Sequence, residues 1–261
     1  MLGQMACCYF KQNYEIETLD RKYELKSRKK FINALKKTDA EIIINCIGVI
    51  KQKKTSFSSM MEINTFLVGD ILQNIPEKKI FIQPSTDCVF SGKTKKKKNF
   101  INDIPDAEDI YGLTKIFSEK IASSYKNSCV VRSSIIGPDL RSEGLGFFNW
   151  LYQCKRNEKI KGYDNHLWNG VTTLEWCKLV EKHVVNNKNE FKNFLCFESP
   201  VVSKYQLIKM IDSILNKNFR LTKFREKEDL NMSLEGNIFS KSLEEQIDEL
   251  KKFLPVFNNY Q

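Results

Sequence analysis

Histidine is scarce in this sequence, and its cysteines follow no pairing pattern. The 261 residues include two histidines, His166 and His183, and eight cysteines without a Cys-x-x-Cys pair. The sequence therefore gives little support for a zinc site, and we expect no bound metal. Several cysteines lie inside apolar segments, which is typical of reduced, buried thiols and argues against a disulfide framework.

No hydrophobic run is long enough to cross a membrane. The longest one, residues Ile42–Ile50, is interrupted by Asn45 and is far shorter than the roughly 20 residues that a spanning helix needs. No signal peptide is visible at the amino end. We therefore expect a cytoplasmic protein that does not associate with membranes.

The chain has a large excess of basic charge but lacks the features of a nucleic-acid binder. Its formal net charge is +10, and its densest basic run is Lys-Thr-Lys-Lys-Lys-Lys at residues 93–98. Lysines are spread through the whole sequence, and neither an arginine cluster nor interleaved aromatic residues accompany the run. We expect no nucleic-acid partner. A basic surface also attracts anionic substrates such as nucleotide diphosphates.

Apolar segments of strand length alternate with helical patterns. Strands are predicted at Glu15–Leu19, Ile42–Cys46, Ile80–Gln83, Cys129–Arg132 and Phe194–Phe197. Helices are predicted at Phe31–Lys37, Met60–Gln73, Tyr111–Tyr125, Leu174–Val185, Lys204–Leu215 and Leu243–Phe253. This alternation predicts an α/β fold with a doubly wound parallel sheet, followed by a smaller carboxyl-terminal lobe. Trp150 and Trp176 are expected in the core.

The amino end lacks a strand that such a fold needs. Residues 1–5, Met-Leu-Gly-Gln-Met, look like the end of a glycine-rich phosphate loop that runs into a helix. In a sheet ordered 3-2-1-4-5-6 the first strand is central, so its absence leaves its neighbours roughly 10 Å apart with unpaired backbone groups. We therefore expect that the natural polypeptide starts upstream of Met1, or that this is a decayed, inactive copy.

A hydroxyl, a phenol and an ammonium occur in an order that suits carbonyl chemistry. The segment Ser-Thr-Asp-Cys-Val-Phe at 85–90 follows an apolar strand, and Tyr111 precedes Lys115 by four residues. On one helix that spacing places both side chains on the same face. The ammonium is expected to favour the phenolate and so lower the pKa of Tyr111. The phenol can then pass its proton to a carbonyl oxygen that a neighbouring hydroxyl, for which we choose Thr86, holds in place.

A second Tyr-x-x-x-Lys pair, Tyr205 and Lys209, shows that the spacing alone is not specific. This pair lies in an ordinary amphipathic helical pattern. Tyr111, by contrast, lies between two predicted strands and follows the Ser-Thr-Asp segment, so it is expected near the carboxyl edge of a sheet. We therefore assign the chemistry to Tyr111 and Lys115.

Six segments together carry a resemblance to a known family. They are Met-Leu-Gly-Gln at the start and residues 43–52, 85–93, 106–115, 131–138 and 168–175. In these segments the chain resembles an extended short-chain dehydrogenase/reductase of the dTDP-4-dehydrorhamnose reductase-like group, and the resemblance covers nearly the whole chain. It implies a Rossmann-type fold with an NAD(P)-binding domain at 1–138. Residues 139–261 would mostly form a substrate-binding lobe, with 171–198 returning to the sheet.

The resemblance also implies roles for the reacting groups. Thr86, Tyr111 and Lys115 match the family's catalytic hydroxyl, phenol acid and lysine. The phenol and the lysine also border the cofactor, and the lysine holds the nicotinamide ribose. Pro138 matches a residue that closes the nicotinamide pocket.

For the rest of the cofactor, the resemblance implies contacts near the amino end. Gly3 is what remains of the glycine loop. Asp20 matches the acid that binds an adenosine ribose and favours NAD, whereas the adjacent Arg21 could meet a 2′-phosphate, so NADP or NAD is expected. The turn that passes along the cofactor matches Cys46, Ile47 and Gly48.

The resemblance implies that the substrate is a nucleotide sugar. Its expected contacts are Asp87, Arg141, Lys161, Trp168 and Asn169. The simplest reaction is reduction of a 4-keto-6-deoxy nucleotide sugar in the synthesis of deoxysugars for surface polysaccharide. Family dehydratases carry glutamate after Thr-Asp, where this chain has Cys88, so dehydration is not expected.

Two alternatives to the reductase stay open. Epimerisation by transient oxidation uses the same three reacting residues. A catalytically inactive relative that serves as a binding or regulatory subunit would keep the fold, with or without the sugar-nucleotide pocket. The chain could also pair with itself as a homodimer.

Overall fold

Strands and helices alternate along most of the chain. The computed structural model describes residues 1–19, 22–53, 55–93, 98–141 and 144–259. The α-helices are α1 (Leu2–Phe10), α2 (Arg28–Leu35), α3 (Phe57–Met61), α4 (Leu67–Asn74), α5 (Ile110–Ser123), α6 (Phe147–Gln153), α7 (Thr173–His183), α8 (Lys204–Leu215) and α9 (Leu243–Asn258). The strands are β1 (Ile42–Ile44), β2 (Ile80–Ser85), β3 (Asn99–Phe100), β4 (Ser128–Arg132), β5 (Ile135–Ile136), β6 (Lys159–Tyr163), β7 (His166–Trp168), β8 (Val171–Thr172), β9 (Phe194–Glu198), β10 (Val202–Ser203), β11 (Arg220–Phe224), β12 (Leu230–Asn231), β13 (Leu234–Glu235) and β14 (Ile238–Phe239).

Five parallel strands form the central sheet, in the order β1-β2-β4-β9-β14. Successive side chains of a strand point to opposite faces of a sheet. In β2, Ile80 and Ile82 accordingly join a core that includes residues of α1, α7 and α9, whereas Phe81 joins a core that includes residues of α2, α4 and α5. Helices therefore cover both faces, and the predicted doubly wound α/β fold is confirmed.

The prediction of a strand at Glu15–Leu19 is wrong. These residues form no regular element, and Ile16 is 36% exposed. An extended segment without a hydrogen-bonding neighbour does not form a sheet. Strand β1 is accordingly the edge of the central sheet, paired on one side with β2.

The helix predicted at Met60–Gln73 is interrupted in the structure. A π-helical turn, Glu62–Phe66, separates α3 from α4.

Trp176 is fully buried as expected, but the prediction that Trp150 lies in the core is wrong, because 46% of its surface is exposed on α6. No helix within the described residues is long and apolar enough to cross a membrane.

The later part of the chain builds smaller sheets beside the central one. Strand β6 pairs with β11 in parallel, and β7 lies between β10 and β12. Helix α8 begins at Lys204, where Ser203 forms a capping box with Gln206. The end of the chain rejoins the central sheet, because β14 pairs with β9 and α9 contributes Leu243 and Ile247 to the core beneath α1.

Candidate active site

A cavity of about 1180 Å³ opens at the carboxyl ends of β1, β2 and β4. The segments that follow these strands line one side, together with the start of α1 and part of α5. Residues of the later lobe, among them Trp168 and Lys204, line the other side. Ligands of open parallel sheets bind at this edge, so the cavity is the candidate active site.

Helix α5 presents Tyr111 and Lys115 to the cavity. Its first turn is capped by Asp109, whose Oδ1 accepts a hydrogen bond of 2.8 Å from the Gly112 backbone N–H. A Cβ atom at Gly112 would lie 2.3 Å from the carbonyl oxygen of Cys88, so only glycine lets the helix approach the Ser-Thr-Asp segment this closely.

A buried ion pair fixes the middle of the same helix. Glu119 of α5 receives two hydrogen bonds from Arg132 of β4, at 3.0 and 2.7 Å. Both side chains are more than nine-tenths buried. The pairing ties α5 to the sheet and thereby sets the position of the reacting groups one to two turns earlier.

Lys115 is half-buried and bonded to the sheet. Its Nζ donates a hydrogen bond of 2.7 Å to the carbonyl oxygen of Pro84 in β2. Burial lowers the pKa of Lys115 to about 8, and the nearby Glu119 opposes that shift. The ammonium is therefore held against β2 and carries a proton that it can lose just above neutral pH.

Tyr111 does not have the lowered pKa that the sequence predicts. Burial raises the pKa of the phenol well above its usual range, and the neighbouring Cys88 and Asp87 raise it further, while a hydrogen bond with Thr86 opposes them. The prediction is wrong because desolvation and nearby acidic groups disfavour the phenolate. At neutral pH the phenol keeps its proton.

Thr86 and Asp87 lie at the end of β2, within the same cavity. Thr86 caps a short 3-10 turn, accepting from the Cys88 N–H at 3.2 Å and donating to Asp87 Oδ1 at 2.9 Å. Asp87 is only 5% exposed. The structure thus brings together the hydroxyl, the phenol and the lysine that the sequence singled out.

The start of α1 and the loop after β1 form a further part of the sheet side of the cavity. Gly3 is in contact with this loop, since a Cβ atom there would lie 3.1 Å from the Cys46 Cβ. Cys46, Ile47 and Gly48 all line the cavity. Because the first turn of a helix offers free N–H groups and a positive dipole, the start of α1 can hold a pyrophosphate.

The π-helical turn holds this loop in place. Asn64 accepts from the Val49 N–H at 2.8 Å and donates to the Val49 carbonyl at 2.9 Å. It also donates to Thr114 Oγ1 at 3.1 Å, which joins the loop to α5. Asn45 accepts from the Ile47 N–H at 3.2 Å. Both asparagines therefore bond the backbone beside the expected cofactor path.

The other predicted cofactor residues fall outside this wall. Pro138 is buried between Gly137 and Asp139, which line the cavity, but does not line it itself. Asp20 and Arg21 lie outside the described residues.

Of the four other predicted substrate contacts, two line the cavity and two do not. Trp168 lines the cavity and donates from Nε1 to Ser134 Oγ at 2.6 Å. Arg141 lines its rim, paired with Asp139. The other two residues do not line the cavity. Asn169 is buried, with its amide bonded to both backbone groups of Leu234, and Lys161 is exposed on β6 with its ammonium over the Phe224 ring.

Sequence reasoning assigned no role to several polar residues of the cavity, among them Ser85, Ser133 and Lys204. The hydroxyls of Ser85 and Ser133 are buried at neighbouring strand ends and have no hydrogen-bond partner within the described residues. Such orphaned groups fit a site that receives polar ligand atoms. Lys204 could have been singled out from the sequence, because a lysine at the first position of a helix is disfavoured by the helix dipole.

Metal binding finds no support in this site. Within the described residues, no group of three or more His, Cys, Asp or Glu side chains is arranged to hold a metal ion. The chemistry available in the cavity is that of Thr86, Tyr111 and Lys115, with an anion-binding helix end nearby.

Fold and cavity together define an α/β protein of the dinucleotide-binding type. The family model described as the NAD dependent epimerase/dehydratase family matches residues 1–140, more than half of the chain. The chain therefore belongs to the NAD dependent epimerase/dehydratase family. No curated protein matches the sequence significantly.

Solved structures share the fold at low sequence identity. A dTDP-4-dehydrorhamnose reductase from Clostridium acetobutylicum is 17% identical, with a TM-score of 0.72 over 98% of this chain and 96% of that chain. One from Bacillus anthracis, in complex with NADP, is 16% identical, with a TM-score of 0.73 over 95% and 94%. A UDP-glucose 4-epimerase from Thermotoga maritima, with UDP-glucose, is 15% identical, with a TM-score of 0.73 over 98% and 96%. These likenesses show a common fold.

Proposed function

We propose that the protein uses NAD(P)H to reduce a 4-keto-6-deoxy nucleotide sugar, as a step in the synthesis of deoxysugars for surface polysaccharide. The observation that carries the proposal is that Tyr111, Thr86 and Lys115 line one cavity, in which burial raises the pKa of the phenol. A ketone reduction consumes one proton at the carbonyl oxygen, and a phenol that keeps its proton at neutral pH is suited to supply it.

The cavity fits the dinucleotide that the family uses. The start of α1 around Gly3 would hold the pyrophosphate, the backbone of Cys46–Gly48 would border the cofactor, and Lys115 would hold the nicotinamide ribose. The orphaned hydroxyls of Ser85 and Ser133 offer further polar contacts. When bound, reduced nicotinamide supplies hydride to the carbonyl carbon.

Side chains of the cavity carry out the proton transfer to the carbonyl oxygen. The Tyr111 hydroxyl gives its proton to the carbonyl oxygen, and the Thr86 hydroxyl, turned from Asp87 towards the substrate, holds that oxygen by a second hydrogen bond. As the phenolate forms, the positive charge of Lys115 stabilises it. The reaction leaves a secondary alcohol on the sugar.

Cys88 argues against dehydration. Burial, reinforced by Asp87, raises the pKa of its thiol to about 12, so the thiol stays protonated at neutral pH and cannot act as a base. Epimerisation begins with removal of a proton from the sugar hydroxyl, and a phenol with a raised pKa is poorly suited to that step. Both arguments favour reduction over the other reactions of the family.

The proposal is tested by following NADPH oxidation with dTDP-4-dehydrorhamnose, beside assays of UDP-glucose epimerisation and dTDP-glucose dehydration. We expect turnover of the keto sugar alone, and a loss of roughly 10²- to 10⁴-fold in kcat for Tyr111→Phe. Tyr205→Phe, from the second Tyr-Lys pair, is the matched control and should keep full activity.

Three outcomes would contradict the proposal. Epimerisation without keto-sugar reduction would make the protein an epimerase. Binding of nucleotide sugar without any turnover would make it an inactive relative. Equal losses for Tyr111→Phe and Tyr205→Phe would remove the assigned acid.

A further inference from the structure

The ammonium of Lys204 occupies an unusual place in the cavity. Lys204 is the first residue of α8, directly after the capping residue Ser203. Its Nζ lies 4.9 Å from the centre of the Phe147 ring and 5.1 Å from that of Trp168. All three side chains line the cavity, so two aromatic rings hold the cation at its wall.

Three features of this placement disfavour a positive charge on Lys204. The side chain is half-buried, and burial lowers the pKa of Lys204. The first turn of a helix carries the positive end of the dipole, which disfavours a cation. Within the residues that the structure describes, no carboxylate lies within ion-pair distance of its Nζ, and it donates no hydrogen bond. Positions that break local rules in this way are commonly functional.

Asp87 supplies an opposite charge in the same cavity. Its carboxylate opposes the lowering of the Lys204 pKa, so the two groups interact electrostatically although they form no direct ion pair. Asp87 is 5% exposed and accepts a hydrogen bond from the Thr86 hydroxyl. A cation and an anion thus line the cavity that also holds the reacting Thr86 hydroxyl.

We propose that Lys204 and Asp87 together bind one hydroxyl group of the sugar, which accepts a hydrogen bond from the ammonium and donates one to the carboxylate. The sugar ring would then lie along Phe147 and Trp168. This assignment rests on the proposed function for its substrate class, a nucleotide sugar.

The chemistry of the pair selects a hydroxyl over other groups. A phosphate or carboxylate at this point would be repelled by Asp87, and an apolar group would leave both charges unsolvated. A hydroxyl has one donor and two acceptor sites, so it can satisfy both ions at once. Lys204 and Asp87 therefore recognise the sugar moiety, while the diphosphate is bound elsewhere.

The test compares two probes, dTDP-L-rhamnose and dTDP, by titration calorimetry. Lys204→Met keeps the apolar stem over the two rings and removes the charge. We expect it to weaken dTDP-L-rhamnose binding roughly 10- to 100-fold, since hydrogen bonds to charged groups contribute on this scale. Binding of dTDP and of NADPH should not change. Lys209→Met, on the exposed side of the same helix, is the control.

Asp87→Asn provides an independent variant. If both groups bind the same hydroxyl, the double variant Asp87→Asn/Lys204→Met should lose less affinity for dTDP-L-rhamnose than the product of the single losses. A melting temperature for Lys204→Met at or above that of the unmodified protein will show that the fold is intact, because a half-buried charge has been removed.

The outcomes separate this inference from the proposed reaction. If Lys204→Met weakens dTDP and dTDP-L-rhamnose equally, or neither, the inference is wrong. It is also wrong if the unmodified protein binds dTDP-L-rhamnose no more tightly than dTDP. If sugar-dependent binding needs Lys204 but the keto sugar is not reduced, the inference stands and the reductase proposal fails.

Discussion

The two walls of the cavity are built in different ways, although each presents a half-buried lysine. On the sheet side, Lys115 is hydrogen-bonded to the Pro84 carbonyl and lies on a helix that a buried ion pair ties to β4. On the lobe side, Lys204 rests on two aromatic rings and has no ion pair within the described residues. Hydrogen bonding thus fixes the position of the Lys115 ammonium, whereas contacts with aromatic rings fix that of the Lys204 ammonium.

This difference suits two different tasks. A group that stabilises a charge formed during the reaction needs a fixed position, which directional hydrogen bonds provide. A group that recognises a substrate must exchange partners when the substrate binds, so an ammonium without a protein hydrogen bond is better placed for it. The five predictions that follow test this contrast between a fixed wall and an adaptable wall.

The largest effect is expected at the fixed wall, from Lys115→Met. Loss of the ammonium removes stabilisation of the Tyr111 phenolate and a contact to the nicotinamide ribose. We expect kcat for keto-sugar reduction to fall roughly 10²-fold or more, with weaker NADPH binding measured by fluorescence titration. Lys209→Met is the matched control, and comparable losses in both variants would contradict the assignment.

The same substitution should make the protein more stable below pH 8. Burial lowers the pKa of Lys115 from 10.5 to about 8, so the charged form opposes folding below pH 8, and that opposition fades as the pH rises towards 10.5. We therefore expect Lys115→Met to melt roughly 2–8 °C higher at pH 7, with a smaller difference at pH 10. An equal difference at both pH values would show that Lys115 is not the titrating group.

The next effect is a pH dependence of the reaction. Because Lys115 is active as the ammonium, kcat/KM for NADPH should fall as the pH rises through about 8, approaching roughly tenfold per pH unit above that value. In Lys115→Arg the charge persists, so the fall at alkaline pH should disappear, at a lower overall rate. A profile that does not differ between the two proteins would contradict this account.

A smaller effect concerns the loop that faces α5. Asn64→Ala removes two hydrogen bonds to Val49 and one to Thr114, leaving buried backbone groups unpaired. We expect a loss of roughly 2–4 kcal/mol in the free energy of unfolding, measured by urea denaturation. Asn74→Ala, which removes one hydrogen bond to Asp70, is the control and should lose much less.

The smallest effect is expected at the adaptable wall. Trp168→Phe keeps an aromatic ring beside Lys204 but removes the hydrogen bond to Ser134. We expect KM for the nucleotide sugar to rise roughly 3- to 10-fold with kcat nearly unchanged, in steady-state assays. A fall in kcat without a change in KM would place Trp168 on the catalytic side.

The sequence was most informative where chemistry depends on local spacing. The four-residue interval between Tyr111 and Lys115, and the position of Thr86 after a strand, were sufficient to predict that these groups meet at one sheet edge. The pKa of Tyr111 was predicted in the wrong direction, because spacing reveals a nearby cation but does not reveal burial or the acidic groups that other segments bring close.

The substrate side of the cavity could not be predicted in the same way. Lys161 and Asn169 were expected to contact the substrate because of where they fall in the sequence, yet they lie outside the cavity, and Lys204 lies inside it. These placements depend on how the small sheets of the later lobe pack against the central sheet, which has no short-range signature in the sequence.

The doubly wound fold and the residues that meet at its carboxyl edge could be predicted from the sequence, because strand alternation and helical spacing are local, periodic properties of the chain. The packing of segments distant in sequence explains why residues 15–19 form no strand, why Tyr111 keeps its proton, and why Lys204 lines the same cavity as Asp87. Each of these outcomes depends on neighbours that are distant in sequence: a ladder partner, the groups that exclude water, and the aromatic rings that hold a charge.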